Sequence, residues 1–380
     1  MKRLRQKPRE QWRHKVEAVG LTYHTPDNFR YWDESTAYEL TSKEVDTLEA
    51  AAAECHALCL AAARVIIEQD WFDRLHIPPA ARGLIRASWE RQEFSLYGRF
   101  DFAWDGRTPP KLLEYNADTP TALIEAAVAQ WYWLEEMHPR LDQFNSIHER
   151  LIAAWKKIAP QVSGRVHFGG LKESEEDEQT VLYLQDTCHQ AGLQTARVHI
   201  EDLGFHSMRR RFVDLDGQTV SHYFKLYPWE WMWGDEFAAH LDLDVLRFIE
   251  PPWKMLLSNK GLLALLWELF PGHPNLAPAF LESDARANAL HTGRYVRKPL
   301  LSREGANIAI FERTQLVAQT RGDYGQGPHV VQQFLPSGID AAMSAVFGVW
   351  IVDHTPCGLG IREDEGLIIG NTSRFVPHFF

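Results

Sequence analysis

Residues 98–120, GRFDFAWDGRTPPKLLEYNADTP, restrict the fold more than any other segment, because polar and apolar residues alternate along them. Successive residues of a strand point to opposite faces. Arg99, Asp101 and Asp105 therefore share one side of a first strand, and Phe100, Phe102 and Trp104 share the other. DGRTPP supplies the reversal, and in the second run Glu114, Asn116 and Asp118 lie on a common face against Leu113 and Tyr115. The aromatic side demands a core to pack on, while the polar side is open to two readings. A half-buried hairpin with its polar face in water fits the alternation alone. A solvated face ordinarily mixes in Lys and Thr, however, and this one gathers acids, an amide and a single Arg. Those are the hard oxygen donors that Mg²⁺ bridging nucleotide phosphates requires.

With 380 residues, 45% of them hydrophobic and 24% charged, the chain has material for two or three packed lobes. Its basic start, MKRLRQKPREQWRHK, runs into a polar stretch rather than an apolar h-region, which speaks against a secretory signal. No run is expected to approach the length of a membrane span. Cys55, Cys59, Cys188 and Cys357 make no disulfide framework and suit a reducing cytoplasm, where we expect the protein to reside. Cys55 and Cys59 lie one helical turn apart with no second Cys/His pair nearby, so they are expected as core thiols rather than metal ligands. A net charge of −11 argues against nucleic acid as a partner and would tolerate a cationic ligand.

TSKE at 41–44 fits a capping box at the head of a helix whose apolar stripe runs through Leu48, Ala52, Cys55, Leu58, Cys59, Ala62, Val65 and Ile66. TPTALIEAAVAQWYWLEEMH and FNSIHERLIAAWKKIA predict two further helices. From Val166 the texture becomes strand, helix, strand (RVHFGGL, EQTVLYLQDTCHQAGL, ARVHIEDLGF), the rhythm of an α/β lobe. Beyond Ile249 come a Trp/Leu-rich helix and the strands RYVRKPLL, IAIF, HVVQQFL, AVFGVWIV and CGLGIRE. The pattern predicts a mixed α/β, multi-lobe protein without repeats. The tryptophans clustered in QWYWLEE and PWEWMWGDE are expected in the core or at an interface.

Phosphates beside a metal need cations. Lys225 in YFKLYPWEW, Lys260 in LLSNKGLLALLW and Lys298 in YVRKPLLSREGANIAI are the candidates. Lys298 ends a predicted strand and precedes a short loop, 302–307, whose Gly305 would let backbone N–H groups approach phosphate oxygens. Neither GxxxxGK[ST] nor GxGxxG occurs. Gln332 and Gln333 in VVQQFLP lie where an adenine edge could be read, although the run equally fits a plain buried strand. In GLGIREDEGLII, Arg362, Asp364 and Glu365 form either a charged hairpin tip or a cation with one more metal ligand.

The combination RFDFAWDG…PKLLEYNADTPTAL, SNKGLLALLWELFPGHPNL, YVRKPLLSREGANI, VVQQFLP and GIREDEGLIIGNTSRFVPH resembles the synthetase domain of glutathionylspermidine synthetases and their stand-alone bacterial homologues, over nearly the whole chain. The resemblance implies an ATP-grasp fold with lobes interleaved in sequence. Residues 1–160 would form a helical region carrying the carboxylate hairpin, 161–250 an α/β substrate-binding lobe, and 251–380 the nucleotide-clamping lobe. It implies an ADP-forming acid–amine ligase that uses ATP with two Mg²⁺ ions and joins a peptide-like acid to an amine such as a polyamine. Asp101, Glu114 and Asn116 would hold Mg²⁺, and Arg99 the reacting carboxyl. Lys260, Lys298 and the loop residues Gly305, Ala306 and Asn307 would hold phosphates, Gln332 and Gln333 the base, and Arg362 the transferring phosphoryl group. Thr119 and Thr121 would lie close to the acid substrate, and Glu176 and Asp177 near the amine. Family members with an N-terminal Cys/His amidase hydrolyse their own product; this chain has no room for one before the capping-box helix, so synthesis without hydrolysis is expected. A phosphotransferase and a non-catalytic nucleotide-binding partner are the competing readings, and the oligomeric state stays open.

Overall fold

The computed structural model describes residues 1–236, 238–339, 343–371 and 373–380; Thr372 of the last family motif lies outside them. The helix Ser42–Glu68 starts as its sequence dictates: the Thr41 hydroxyl accepts from the Glu44 N–H at 3.3 Å, and the Glu44 carboxylate accepts from the Thr41 N–H at 2.8 Å. Leu48, Ala52, Cys55, Cys59, Ala62 and Ile66 are buried along one stripe, and all four cysteines are free and buried. By length and composition alone this helix, 27 residues long, is sufficient to cross a membrane, which corrects the expectation that no run approaches a span. Its apolar stripe packs instead on the core of its own chain. In the basic leader, Lys2–Arg5 is a strand paired with Thr36–Glu39, where His378–Phe379 joins from the other side.

The hairpin of Tyr97–Ala103 and Lys111–Asn116 forms with Arg99 opposite Asn116 and Asp101 opposite Glu114. On its apolar face Phe100 stacks on Tyr115, ring centroids 3.8 Å apart. Tyr97–Ala103 pairs on its other edge with Ser344–Val352, followed by Thr355–Asp364 and Arg374–Val376, so segments from the two ends of the chain build one antiparallel five-stranded sheet. Gly348 faces Asp101 across this sheet. A Cβ at 348 would come within 2.8 Å of Arg99 Cδ, so the strand must leave that place bare.

A second antiparallel sheet, in the order Ala279–Leu281, His329–Gln333, Arg294–Pro299, Ala309–Glu312, Gln315–Gln319, stands opposite the polar face of the hairpin and carries Lys298 and Gln332. The strand–helix–strand rhythm is realised as Arg165–Gly170, helix Glu175–Gln190 and Gln194–Arg197, with both strands parallel. His222–Leu226 and Arg247–Ile249 complete this four-stranded sheet.

Two residues singled out from the sequence join these layers instead of serving the site. Lys225 is not a phosphate cation: its Nζ lies 2.6 Å from Asp118 Oδ1 and donates to the Tyr227 carbonyl at 2.9 Å, with both charged side chains wholly buried. Asp118 Oδ2 accepts from the Trp229 N–H at 3.0 Å. The pair ties the end of the hairpin to the parallel sheet. Asp105 leaves the polar face as well, accepting from the Arg107 and Thr108 N–H groups to close the reversal. Lys225→Met is expected to strand the Asp118 charge and to cost ~3–5 kcal/mol in urea unfolding. Lys225→Met combined with Asp118→Asn is expected to lose clearly less than the sum of the single changes; strict additivity would refute this role.

Candidate active site

A cavity of about 350 Å³ opens between the two antiparallel sheets, with the first turn of helix Glu175–Gln190 as its third wall. Of the residues singled out from the sequence, Arg99, Asp101, Glu114, Asn116, Thr119, Thr121, Glu176, Asp177, Lys298, Gly305, Gln332, Gln333 and Arg362 line it. Lys260 approaches from an adjoining small pocket and reaches Glu114 at 2.8 Å. Ala306 and Asn307, the last residues of the loop 302–307, do not line the cavity, and Asn307 Oδ1 accepts from the Tyr324 N–H at 2.8 Å. Asp364 and Glu365 stay outside. Asp364 accepts from Ser373 Oγ and the Gly366 N–H, and Glu365 is exposed, which corrects the reading of either as a metal ligand.

Strand alternation brings the charges of the hairpin to one face, and neighbouring elements pair them. Arg99 forks onto Asp101 (Nε to Oδ1 2.6 Å, Nη2 to Oδ2 2.9 Å) and donates through Nη1 to the Thr121 carbonyl. Asn116 Nδ2 lies 3.0 Å from Asp101 Oδ2 and 3.2 Å from Glu114 Oε1. Two carboxylates and an amide thus converge on one point, and a half-turn of the amide adds its oxygen, a donor set that suits Mg²⁺. Among the described residues no cluster of three or more His, Cys, Asp or Glu is arranged for a metal.

Burial and neighbours set these groups apart in acidity. Burial pushes Asp101 up against the pull of Arg99. Burial acts on Glu114 in the same sense, but Lys260, Lys298 and Asn116 outweigh it and hold this carboxyl at about 2. Burial lowers Lys298 to about 8, with Glu114 opposing and Lys260 reinforcing. On the far wall, burial and the neighbouring Glu176 raise Asp177 to about 6. Its backbone N–H is capped by the Ser174 hydroxyl at 3.3 Å.

The loop 302–307 is docked. Arg303 donates to the Thr119 hydroxyl and, at 2.8 Å, to Glu230, and lies 5.9 Å from the centre of the Trp231 ring. Gly305 has φ 72°, and a Cβ there would stand 2.6 Å from the Ile369 carbonyl oxygen. Glu304 is bonded to Asn371, and Arg362, 5.7 Å above the Tyr31 ring, donates to the Gly370 carbonyl. The loop therefore interlocks with residues 369–371. Beside it Val296, Ile310, Phe334 and Leu335 form an apolar slot.

Arg303, Glu230, Trp231 and Glu125 were missed from the sequence. Arg303 stands in the loop 302–307 itself, two residues ahead of Gly305. Trp229 and Trp133 are fully buried as expected, whereas Trp231 lines the cavity at 37% exposure. Glu125 was detectable as a single acid within the apolar run ALIEAAVA. It sits in a π turn, Glu125–Ala129, ahead of helix Gln130–Met137, where burial and then Glu176 raise its carboxyl to about 7.

Residues 3–380 match the protein family described as glutathionylspermidine synthase preATP-grasp. A "Putative acid--amine ligase" of Haemophilus influenzae is 41% identical over 376 residues, 95% of either chain. Trypanothione synthetase of Crithidia fasciculata is 30% identical over 83% of this chain, which spans 52% of that protein's length. Among solved structures, a glutathione synthetase-like effector from Globodera pallida in the apo form superposes with a TM-score of 0.61 over 99% of this chain and 98% of that one, at 9% identity, a likeness of fold.

Glu125 makes a pH prediction. Its folded pKa, about 7, lies above the ordinary 4.5, so the folded chain holds this proton more tightly than the unfolded chain does. The group's contribution is complete below pH 4.5 and is lost as pH rises through 7. Glu125→Gln should match the parent near pH 4.5 in thermal unfolding and exceed it at pH 8 by up to ~3 kcal/mol. Parallel stability–pH curves would contradict this.

Proposed function

This mixed α/β chain of the ATP-grasp type belongs to the glutathionylspermidine synthase family of ATP-dependent carbon–nitrogen ligases, and we propose that it joins a small peptide-like carboxylate to a primary amine through an acyl phosphate. The observation that carries the reading is the polarity of the cavity. Lysines able to hold phosphates (Lys298 and, beside Glu114, Lys260) lie toward the hairpin acids, the acidic helix start with Glu176 and Asp177 lines the cavity from the layer of the parallel sheet, and Arg362 stands between them, its charge felt by Asp101 and by the Glu125 and Glu304 carboxyls that also feel Glu176. A polyanion and an ammonium group would be received at different walls.

A carboxylate is a poor acyl donor until one oxygen carries a good leaving group. In the proposed reaction Arg99 orients the acid so that its oxygen attacks the γ-phosphorus of ATP; the bond to ADP breaks as the acyl–phosphate bond forms. Lys260, Lys298 and Arg362 would neutralise charge on the transferring group. Asp101, Glu114 and Asn116 would hold Mg²⁺, which supplies positive charge at the phosphate oxygens when bound. The amine then attacks the acyl carbon and inorganic phosphate leaves. An ammonium ion must first give up a proton, and Asp177, held at about 6, is a base of suited strength on the amine's wall. The interlocked segments 302–307 and 369–371 would keep water from the acyl phosphate.

The test is phosphate release from Mg-ATP with glutathione and spermidine, the substrates suggested by the family's name, added singly and together. Release is expected only with both, and Asp101→Ala or Lys298→Ala should abolish it while leaving the circular dichroism unchanged. ATP turnover preserved in either variant would refute the site. Release that proceeds with the acid alone would identify a phosphotransferase.

A further inference from the structure

Gln332 sits next to the apolar slot, on a strand from which a base could be read, yet its side chain is 1% exposed and both of its polar ends are engaged. Its Oε1 accepts from Lys298 Nζ at 2.8 Å, and its Nε2 donates to the Leu112 carbonyl at 2.9 Å. Lys298 Nζ donates a second bond to the Leu113 carbonyl, at 2.9 Å. Leu112 and Leu113 belong to the strand that carries Glu114 and Asn116. An ammonium group has three N–H donors; two are spent on these anchors, and one is left for the cavity that Lys298 lines.

The register explains why these residues meet. Gln332 stands opposite Val296 on the neighbouring strand, which puts it diagonal to Lys298 on the same face. The amide is also the chemistry the place demands. A glutamate would keep the acceptor for Lys298 but set a carboxylate against the Leu112 carbonyl and neutralise the lysine. A leucine would leave the ammonium with only the Leu113 carbonyl and would remove the side-chain donor to the Leu112 carbonyl.

We propose that Gln332 is a positioning residue: it aims Lys298 at the phosphates and locks the nucleotide-side sheet to the carboxylate strand, and it does not read the base. The proposal rests on the reading of Lys298 as a phosphate ligand. It makes the distance between the phosphate cation and the Glu114 and Asn116 side chains depend on the Gln332 amide bridge between two sheets and on the Lys298–Leu113 bond beside it.

The test compares equilibrium binding of ATP and of ITP, whose purine has a 6-oxo group and an N1–H in place of the 6-amino group and bare N1, to the parent, Gln332→Leu, Gln332→Glu, Lys298→Ala and the Gln332→Leu/Lys298→Ala pair, all checked for an unchanged melting profile. Gln332→Leu should weaken ATP and ITP by the same factor, roughly 10- to 100-fold for the loss of a hydrogen bond to a charged group. It should add little once Lys298 is already alanine. Gln332→Glu, isosteric and able to fold where leucine fails, should also weaken both nucleotides equally. A Gln332 variant that changes the preference for ATP over ITP, or whose loss adds in full to that of Lys298→Ala, would overturn the proposal and return Gln332 to base reading. Unchanged ATP affinity in Lys298→Ala would remove the phosphate reading itself, a result visible without any Gln332 variant.

Discussion

The buried contact between Asp118 and Lys225 is a constraint on which the arrangement of the site depends, together with Glu250, which accepts from the Leu96 and Tyr97 N–H groups at 2.9 Å. The hairpin with its acids and the parallel sheet with its helix start belong to different layers, and nothing in either layer's own hydrogen-bonding pattern sets their separation. A charge pair without water holds its geometry closely, because any gap exposes each partner to an apolar interior. Thr119 and Thr121 lie within three residues after Asp118, and Trp229, Glu230 and Trp231 within six after Lys225. One ion pair therefore places residues on two walls of the cavity, and through Glu230 it also sets where Arg303 can dock.

The charges inside the cavity are balanced in a way that permits exchange. Arg99 neutralises Asp101, and Lys260 neutralises Glu114, so the site pays no large penalty for burying acids and bases together. Each partner is nevertheless one that a nucleotide could claim: phosphate oxygens compete for the lysines, and a divalent ion competes for the carboxylates. Binding a metal–polyanion complex then swaps one set of neutral pairs for another. Electrostatic preorganisation of this kind needs little rearrangement of the backbone.

Much of this was legible in the sequence, and the misses share a cause. Alternation identified the face that Asp101, Glu114 and Asn116 share, and the capping box located the long helix, because both signals are local. Alternation does not say what a face will meet. Asp105 and Asp118 flank the same hairpin, but one closes a turn and the other finds a lysine 107 residues away. Lys225 looked like Lys260 and Lys298 for the same reason: a lysine's partner is set by tertiary contact. The membrane-length helix deceived in a different manner, since burial inside a protein and burial in lipid call for similar side chains. Glu125 gave a signal, a single acid among apolar residues, that pattern matching passed over.

Gly348 touches no cavity-lining carboxylate other than Asp101, yet the width of the site is measured by what it lacks. The guanidinium of Arg99 lies over this residue as over a shelf, and the shelf is level only because a hydrogen stands where every other amino acid carries carbon. On either side of it the strand 344–352 buries Phe347, Val349 and Trp350. At this step, as at Gly305 and Gly360, the backbone itself serves as a wall of the binding chamber. Sequence drift in the chamber would thus be limited by a position with no side chain to vary.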